Sequence, residues 1–524
     1  MPYDYIVIGA GSAGCVVAAR LSECSDLSVL LLEAGGPDDE PFIYIPAAFR
    51  YLFKTPTDWN YETEPQRHLN GRKEYIPRGK ALGGSSVINA MIYQRGNPAN
   101  YNTWAALGNE GWAWEDVLPY FKKSQNQERG ESNLHGVGGP LNIADLRDPN
   151  PLSHLLLRAA AEQGYPINPD FNGDTQEGFG LYQVNQKDGI RHSVAMAYLQ
   201  PALERENLTV VTGAYVQHLI FKGTQCTGVV YHQDGEVYTV LAEREIILCA
   251  GAINSPQLLM LSGIGPQEKL EELGIHAIMN LPGVGQNLQD HIMAPVAYHA
   301  TQPITLTLEA ATTEEQFSKF QEGQGMLTSN FAEAGGFLKL KPESLAPELQ
   351  FHFAPGWFIL HGFGNPEGHG FTLTSGVVGT KSVGYLTLRS ADPKDPPIID
   401  PNYLAVAEDM DVIVKGLKIA RKILKSKAFD AYRGEEHLPG ATVQSDAALQ
   451  EFVRNWAQNI YHPVGTCKMG HDPLAVVNDR LQVHGIQGLR VADASIMPVI
   501  INANTNNPCI MIGEKCADLI LRGQ

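Results

Sequence analysis

The sequence predicts a chain of α/β plus α+β class. One domain is a Rossmann-like dinucleotide-binding domain, and the other has an antiparallel sheet covered by helices. Three observations carry that prediction. Residues Asp4 to Glu33 read as a complete βαβ unit. Between residues 295 and 455 the texture changes to alternating strands among Gly and Pro turns, and from Asn459 the chain returns to glycine-rich strand–turn signals. A length of 524 residues also exceeds one ordinary hydrophobic core, which makes two domains the natural division.

In the first unit, Tyr5-Ile6-Val7-Ile8 is an apolar run of strand length, followed at once by Gly9-Ala10-Gly11-Ser12-Ala13-Gly14. Cys15 to Leu21 gives a helix of small and aliphatic residues, and Leu27 to Leu32 a second buried strand ending in Glu33. Gly9 permits the tight turn, Gly11 lets the backbone approach a pyrophosphate, and Gly14 lets helix and strand pack closely. The helix N-terminus offers free N–H groups and a positive dipole end to a diphosphate. Glu33 stands where an acid accepts hydrogen bonds from a ribose diol.

A nicotinamide fold would continue with more strand–helix units, but residues 40–150 are rich in turns and aromatics. Within them Arg78 to Met91 is a second glycine-rich passage, read as a loop entering a helix or as a structural turn. Residues 151–164 look helical, and Gly189 to Ser193 precede another helix. Strands follow from Leu208, the last being Glu245 to Cys249. It runs into Ala250-Gly251 and a helix with Pro256 near its start and Gly263 at its end. Leu281 to His291 reads as a loop with a short helix. Strands such as GFLKLKP, LQFHFAP and GYLTLRS mark the second domain, with helices at 406–427 and 445–457. The final helix is placed at Cys509 to Leu521, with Lys515 and Asp518 outward. Residues 1–150, 200–295 and 458–524 are assigned to the dinucleotide domain, and 151–199 with 296–457 to the substrate domain.

Composition narrows the function. A formal net charge of -18, without a run of Lys and Arg, excludes a nucleic-acid partner and disfavours anionic lipid. The seven cysteines show no CxxC and no even framework, which suits buried free thiols in a reducing compartment. No metal site is expected. No secretory signal or transmembrane segment is visible, so a cytoplasmic location is expected.

Taken together, GRKEYIPRGKALGGSSVINAMIY, GAINSPQLLMLSGIG and HPVGT resemble the signatures of the glucose–methanol–choline (GMC) oxidoreductases, and the likeness spans the whole chain. SNFAEAGGFLK, LRSADPKDPPIIDPNYL and KAFDAYRGEEHLPG resemble the bacterial choline-dehydrogenase-like branch. The resemblance implies FAD rather than NAD. It places Gly9, Gly11, Ser12, Ala13, Gly14, Glu33 and Ala34 on the ADP half and Val216 near the adenine. Gly83, Gly84, Ser85, Asn89, Ala90 and Met91 would lie along the pyrophosphate or isoalloxazine, joined by Ala250, Gly251, Asp493, Ala494, Asn504 and Pro508. Asp493 is also a candidate helix cap. Some choline oxidases attach FAD through a histidine just after GG-x-S-S. Here Gly84 is followed by Ser85, Ser86, Val87, Ile88 and Asn89, so non-covalent FAD is expected.

Oxidising an alcohol with flavin requires a base for the hydroxyl proton while the α-hydrogen leaves as hydride to N5, and a neutral imidazole suits that task. His462, in YHPVGT, matches the family's catalytic histidine. Its partner falls at Asn504, or at Asn506 if the register slips by two. An amide cannot act as a base but can hold the substrate oxygen. Glu333, Phe351, Trp357 and Tyr461 are candidate substrate contacts, because a carboxylate among aromatic faces suits a quaternary ammonium; the same residues would also make an ordinary core. The expected reaction is oxidation of a small primary alcohol to an aldehyde, with oxygen or a quinone as acceptor. A flavin lyase or photoenzyme on the same fold is the alternative.

Overall fold

The computed structural model describes residues 2–364 and 366–524. The first sheet forms around Tyr3–Ile8, which pairs in parallel with Val29–Leu32 on one side and with the end of Glu236–Leu248 on the other. Leu208–Val211 and Leu489–Val491 extend it outward, also in parallel. Strands covered on both faces read as continuous apolar runs, and Ile6, Val7, Val29 and Leu31 are fully enclosed. The Glu236–Leu248 strand has two lives. Its first half pairs antiparallel with Gln225–Gln233, which pairs with Tyr215–Lys222, and only its last residues enter the parallel core.

The Ser12–Leu21 helix packs against the C-terminal helix, Asn506–Leu521. Arg20 clasps Glu514 there through Nε and Nη2, and Tyr198 and Lys123 also reach that buried carboxylate. This cluster ties the two ends of the chain together and so sets the loop before Asn506 beside the Gly9–Gly14 turn. The C-terminal helix begins three residues earlier than its sequence suggests. Its Lys515 does not point outward: Nζ donates to the Gly111 carbonyl at 2.7 Å over the Trp112 and Tyr120 rings. The aromatic faces and the carbonyl offset the burial of one ammonium.

The second sheet is antiparallel. Its order is Arg433–Leu438, Ile292–Ala300, Gly370–Val377, Leu349–Ala354, Ala334–Leu338 and Gly178–Leu181, with Gln458–Asn459 joined to Ile292–Met293. Helices Pro151–Glu162, Ala407–Leu424 and Asp446–Trp456 cover its outer face and share a core with Phe351, Phe353 and Leu373. The inner face turns toward the first domain. Because side chains alternate along a strand, the neighbours of these core residues (Gln350, His352, Ala354 and Thr374) point inward. The Ala195–Leu199 turn belongs to the first core and the Ile292–Ala300 strand to the second, so the chain crosses between layers slightly before 200 and 296.

The glycine-rich passage near 80 makes one short 3-10 turn, Gly84–Val87, the second of its two readings. One more local expectation needs correction. Leu281 to His291 holds no helix and runs as turns and bridges. All seven cysteines are free. Among the described residues, no helix is long and apolar enough to cross a membrane.

Candidate active site

Two cavities meet between the domains. The first, of about 1060 Å³, runs from Glu33 and Val216 past Gly11 to Asp493 and Ala494. Its wall is largely main chain. The helix Ser12–Leu21 starts on this cavity without a side-chain cap, so its first N–H groups remain available to an anion, whereas the first N–H of the Gly251–Leu261 helix is taken by Asp493. Two glycines make the approach possible. A Cβ on Gly14 would meet the Gly9 carbonyl oxygen at 1.9 Å, and one on Gly84 (φ +52°) would meet Gly11 Cα at 2.6 Å. Glu33 is buried, with Oε2 accepting from Ala10 N–H and Oε1 from Gly35 N–H, each at 2.8 Å. Burial pushes its carboxyl up to about 7. Asp493 accepts from Gly251 N–H at 2.8 Å, Ser255 Oγ–H and Ser495 N–H. It therefore caps its own short turn and also anchors the start of the Gly251 helix.

The second cavity, of about 1130 Å³, shares Ser12, Arg78, Ser85, Ala494 and Cys509 with the first. His462 stands on its wall. Its Nε2 lies 3.1 Å from Asn504 Nδ2, and its Nδ1 lies 3.0 Å from His291 Nδ1. Asn504 Oδ1 accepts from Gln350 Nε2 at 2.9 Å, which turns the amide N–H groups toward the imidazole. His462 Nε2 is then an acceptor and Nδ1 carries the hydrogen, donated to His291. His291 accepts at Nδ1 when its own hydrogen sits on Nε2, which is enclosed and has no hydrogen-bond partner among the described residues. Burial first, then His291, His352 and Arg78, holds the His462 pKa well below the ordinary histidine value, and His291 falls to about 3. The imidazole is a free base at neutral pH.

Local backbone sets this geometry. Tyr461 adopts φ +70°, a conformation costly for a bulky residue, and is fixed there by Arg78 Nη1 donating to its carbonyl at 2.8 Å. Its hydroxyl pairs with His361 Nδ1 at 2.9 Å. The next N–H, that of His462, donates to Asp290 Oδ1 at 2.8 Å, and Tyr403 and His291 N–H also donate to this carboxylate. Burial raises the Asp290 pKa to about 7.

Most sequence-derived candidates converge here. Gly9, Gly11, Ser12, Ala13, Glu33, Ala34, Gly84, Ser85, Val216, Ala250, Gly251, Asp493 and Ala494 line the first cavity. Asn89, Ala90, Met91, Tyr461, His462 and Asn504 line the second, as does Asn506. Gly14, Gly83 and Pro508 lie behind the walls. Three candidates do not reach the cavity. Glu333 is enclosed, accepting from Ser153 Oγ–H, Ser329 Oγ–H and Asn150 N–H. Phe351 belongs to the helix-covered core, and Trp357 packs between His299 and His437 with Nε1 donating to Gly368. Sequence reasoning missed Arg78, Asp290, His291, Gln350 and His352. Alternation along LQFHFA would have found the last two once Phe351 was placed in the core.

Models described as GMC oxidoreductase match residues 3–293 and 380–513. An alcohol dehydrogenase (acceptor) of Pseudomonas putida is 44% identical over 528 residues, which is 99% of this chain and 96% of the relative. An oxygen-dependent choline dehydrogenase of Brucella anthropi is 42% identical over 529 residues, again 99% and 96%. A pyridoxine 4-oxidase from Mesorbium loti superposes with a TM-score of 0.91 at 32% identity, covering 99% of both chains.

Proposed function

This chain belongs to the GMC oxidoreductase family, and on that premise we propose that it oxidises a primary alcohol to an aldehyde with His462 as proton acceptor. It is an FAD enzyme, and FAD when bound supplies the acceptor for the electron pair leaving the alcohol carbon. The first cavity suits the cofactor's ADP half. Glu33 would take the ribose hydroxyls, and the uncapped start of the Ser12–Leu21 helix with the Gly11 and Gly84 backbone would hold the diphosphate. Asn89, Ala90 and Met91, on the wall of the second cavity, would lie toward its ring. No histidine follows Ser85 and Ser86, so we read the attachment as non-covalent. Acid precipitation should leave the flavin in solution.

The observation that carries the reading is the His462 Nε2–Asn504 Nδ2 pair on the wall of the second cavity. An alcohol oxygen seated against this pair accepts from the amide and donates to the imidazole. Asn504 fixes the oxygen; His462 takes the proton at Nε2. His291 holds the opposite nitrogen in the tautomer that leaves that lone pair free. The enclosing strands exclude water, which strengthens both hydrogen bonds. The electrons then leave to oxygen or a quinone-type acceptor, and opening substrate-bleached protein to air separates the two.

Substituting His462→Ala should slow anaerobic flavin bleaching by alcohol at least about 1,000-fold, within the range for a lost general base, while FAD stays bound. An unchanged bleaching rate refutes the assignment.

A further inference from the structure

Resting on the alcohol reading above, we propose that the substrate is an uncharged alcohol with an apolar tail, and that Phe331 sets the length of tail admitted. The second cavity has no Asp or Glu on its wall among the described residues; Phe49, Phe53, Met91, Met293, Phe358 and Ile460 dominate it. Glu333, the carboxylate that a quaternary ammonium would seek, already accepts three hydrogen bonds outside the cavity. The permanent charge that does reach the cavity is cationic. Arg78 lines it, makes no ion pair among the described residues, and spends Nη1 on the Tyr461 carbonyl.

Of the rings that line the cavity, Phe331 already carries a cation, and other cations sit on rings just outside it. The Arg50 guanidinium lies 5.1 Å over the Phe331 ring and 5.1 Å over Tyr51, and Lys54 lies over Tyr75 and Phe363. A buried cation needs a carboxylate to replace its water and balance its charge, and no carboxylate lines this wall among the described residues. A methylene chain needs none, and gains from every apolar contact.

Phe331 also borders a third cavity of about 790 Å³, lined by Ile45, Ala48, Leu306 and Leu327 and opening at the exposed Phe42 and Phe317. Among the described residues it is the one side chain common to the walls of both cavities. Its φ of +67° is held by its N–H, which donates to Ser329 Oγ at 3.1 Å, and Ser329 in turn donates to Glu333. Glu333 thus braces the partition rather than meeting the substrate. A short tail stops at the Phe331 ring; with the ring removed, the second cavity opens into the third.

The test uses FAD-loaded protein and two alcohols of one shape, choline and 3,3-dimethyl-1-butanol, in which carbon replaces the charged nitrogen. Under anaerobic conditions the neutral isostere should bleach the flavin at least about tenfold faster at equal concentration, as expected when the cation finds no buried counter-charge. Calorimetric titration should show binding of 2-methyl-2-hexanol, which has no α-hydrogen to lose, in preference to tetramethylammonium. Across straight-chain alcohols from ethanol to dodecanol, Phe331→Ala should move the preferred length up by about two carbons or more, since each buried methylene adds to binding. Phe331→Leu should move it less and guards against a misfolded alanine variant. Choline bleaching as fast as its isostere, tetramethylammonium binding the tighter, or an unchanged length profile in both variants overturns the proposal. Bleaching by no alcohol, in protein that retains FAD, overturns the alcohol reading itself.

Discussion

The two joined cavities are nearly equal in size but built on opposite plans. The first is made of main chain: helix starts and glycine turns, where the decisive feature is the absence of side-chain atoms. The second is made of side chains delivered by strands and loops far apart in sequence, where identity decides everything. The first can therefore be broken by adding a carbon at a close-packed glycine such as Gly84. The second tolerates carbon but not the loss of a particular nitrogen or oxygen.

The largest expected effect separates the plans completely. Gly84→Val adds atoms where a Cβ would already stand 2.6 Å from Gly11 Cα, at a φ of +52° that valine avoids. Strain of about 1–3 kcal/mol comes with a blocked diphosphate path. The protein should purify colourless, with its far-ultraviolet circular dichroism intact and the His462–Asn504 wall untouched. A yellow variant with full flavin absorbance would show that Gly84 does not border the cofactor.

Next in size, Asn504→Ala acts only on the second plan. It removes the amide that faces His462 Nε2 and leaves Gln350 Nε2 with only the long contact to the Tyr182 hydroxyl at 3.5 Å. The bleaching rate should fall about 100-fold, the scale of one lost hydrogen-bond donor at a reacting oxygen, with FAD content unchanged. Equal bleaching by the variant would remove Asn504 from the chemistry.

The same contrast explains what the sequence disclosed. Asp4 to Glu33 was readable in full because its function lies in main chain within one local unit, where glycine spacing and apolar runs are the structure. The fold class followed, since the parallel core reads as continuous apolar runs and the second sheet as strands among turns. The substrate side was harder. His462 and Asn504 stand out by resemblance to a family motif, and nothing in their local pattern says that they meet. Phe351 and His352 are adjacent, and a strand sends them to opposite faces; choosing the aromatic over the imidazole is a one-residue phase difference. Glu333 drew attention as a lone carboxylate among apolar residues, but the serines that satisfy it come from Ser153 and Ser329, one of them remote. Lys515 misled for a related reason: charge predicts exposure only when no ring face waits inside.

The smallest effect tests whether the second plan depends on a residue that touches neither substrate nor cofactor. His291 is fully enclosed and edge-on to His462, with ring centroids 5.2 Å apart at 89°. If its Nδ1 holds the His462 tautomer, His291→Phe should lower kcat about tenfold, the scale of a lost orienting contact, with KM nearly unchanged. His291→Gln, which returns an acceptor oxygen, should recover part of the loss. A purely packing role predicts the reverse order, because phenylalanine fills the space better. The pH profile supplies a second check. Since burial keeps the His462 pKa well below 6.5, the free base persists as pH falls through that value, and wild-type kcat/KM should stay level between about pH 8 and pH 6, where an ordinary histidine would already be losing activity. A decline centred near 6.5 would mean that the base is solvated, and that the His462–His291 pair does not hold it in the enclosed, neutral state on which the mechanism depends.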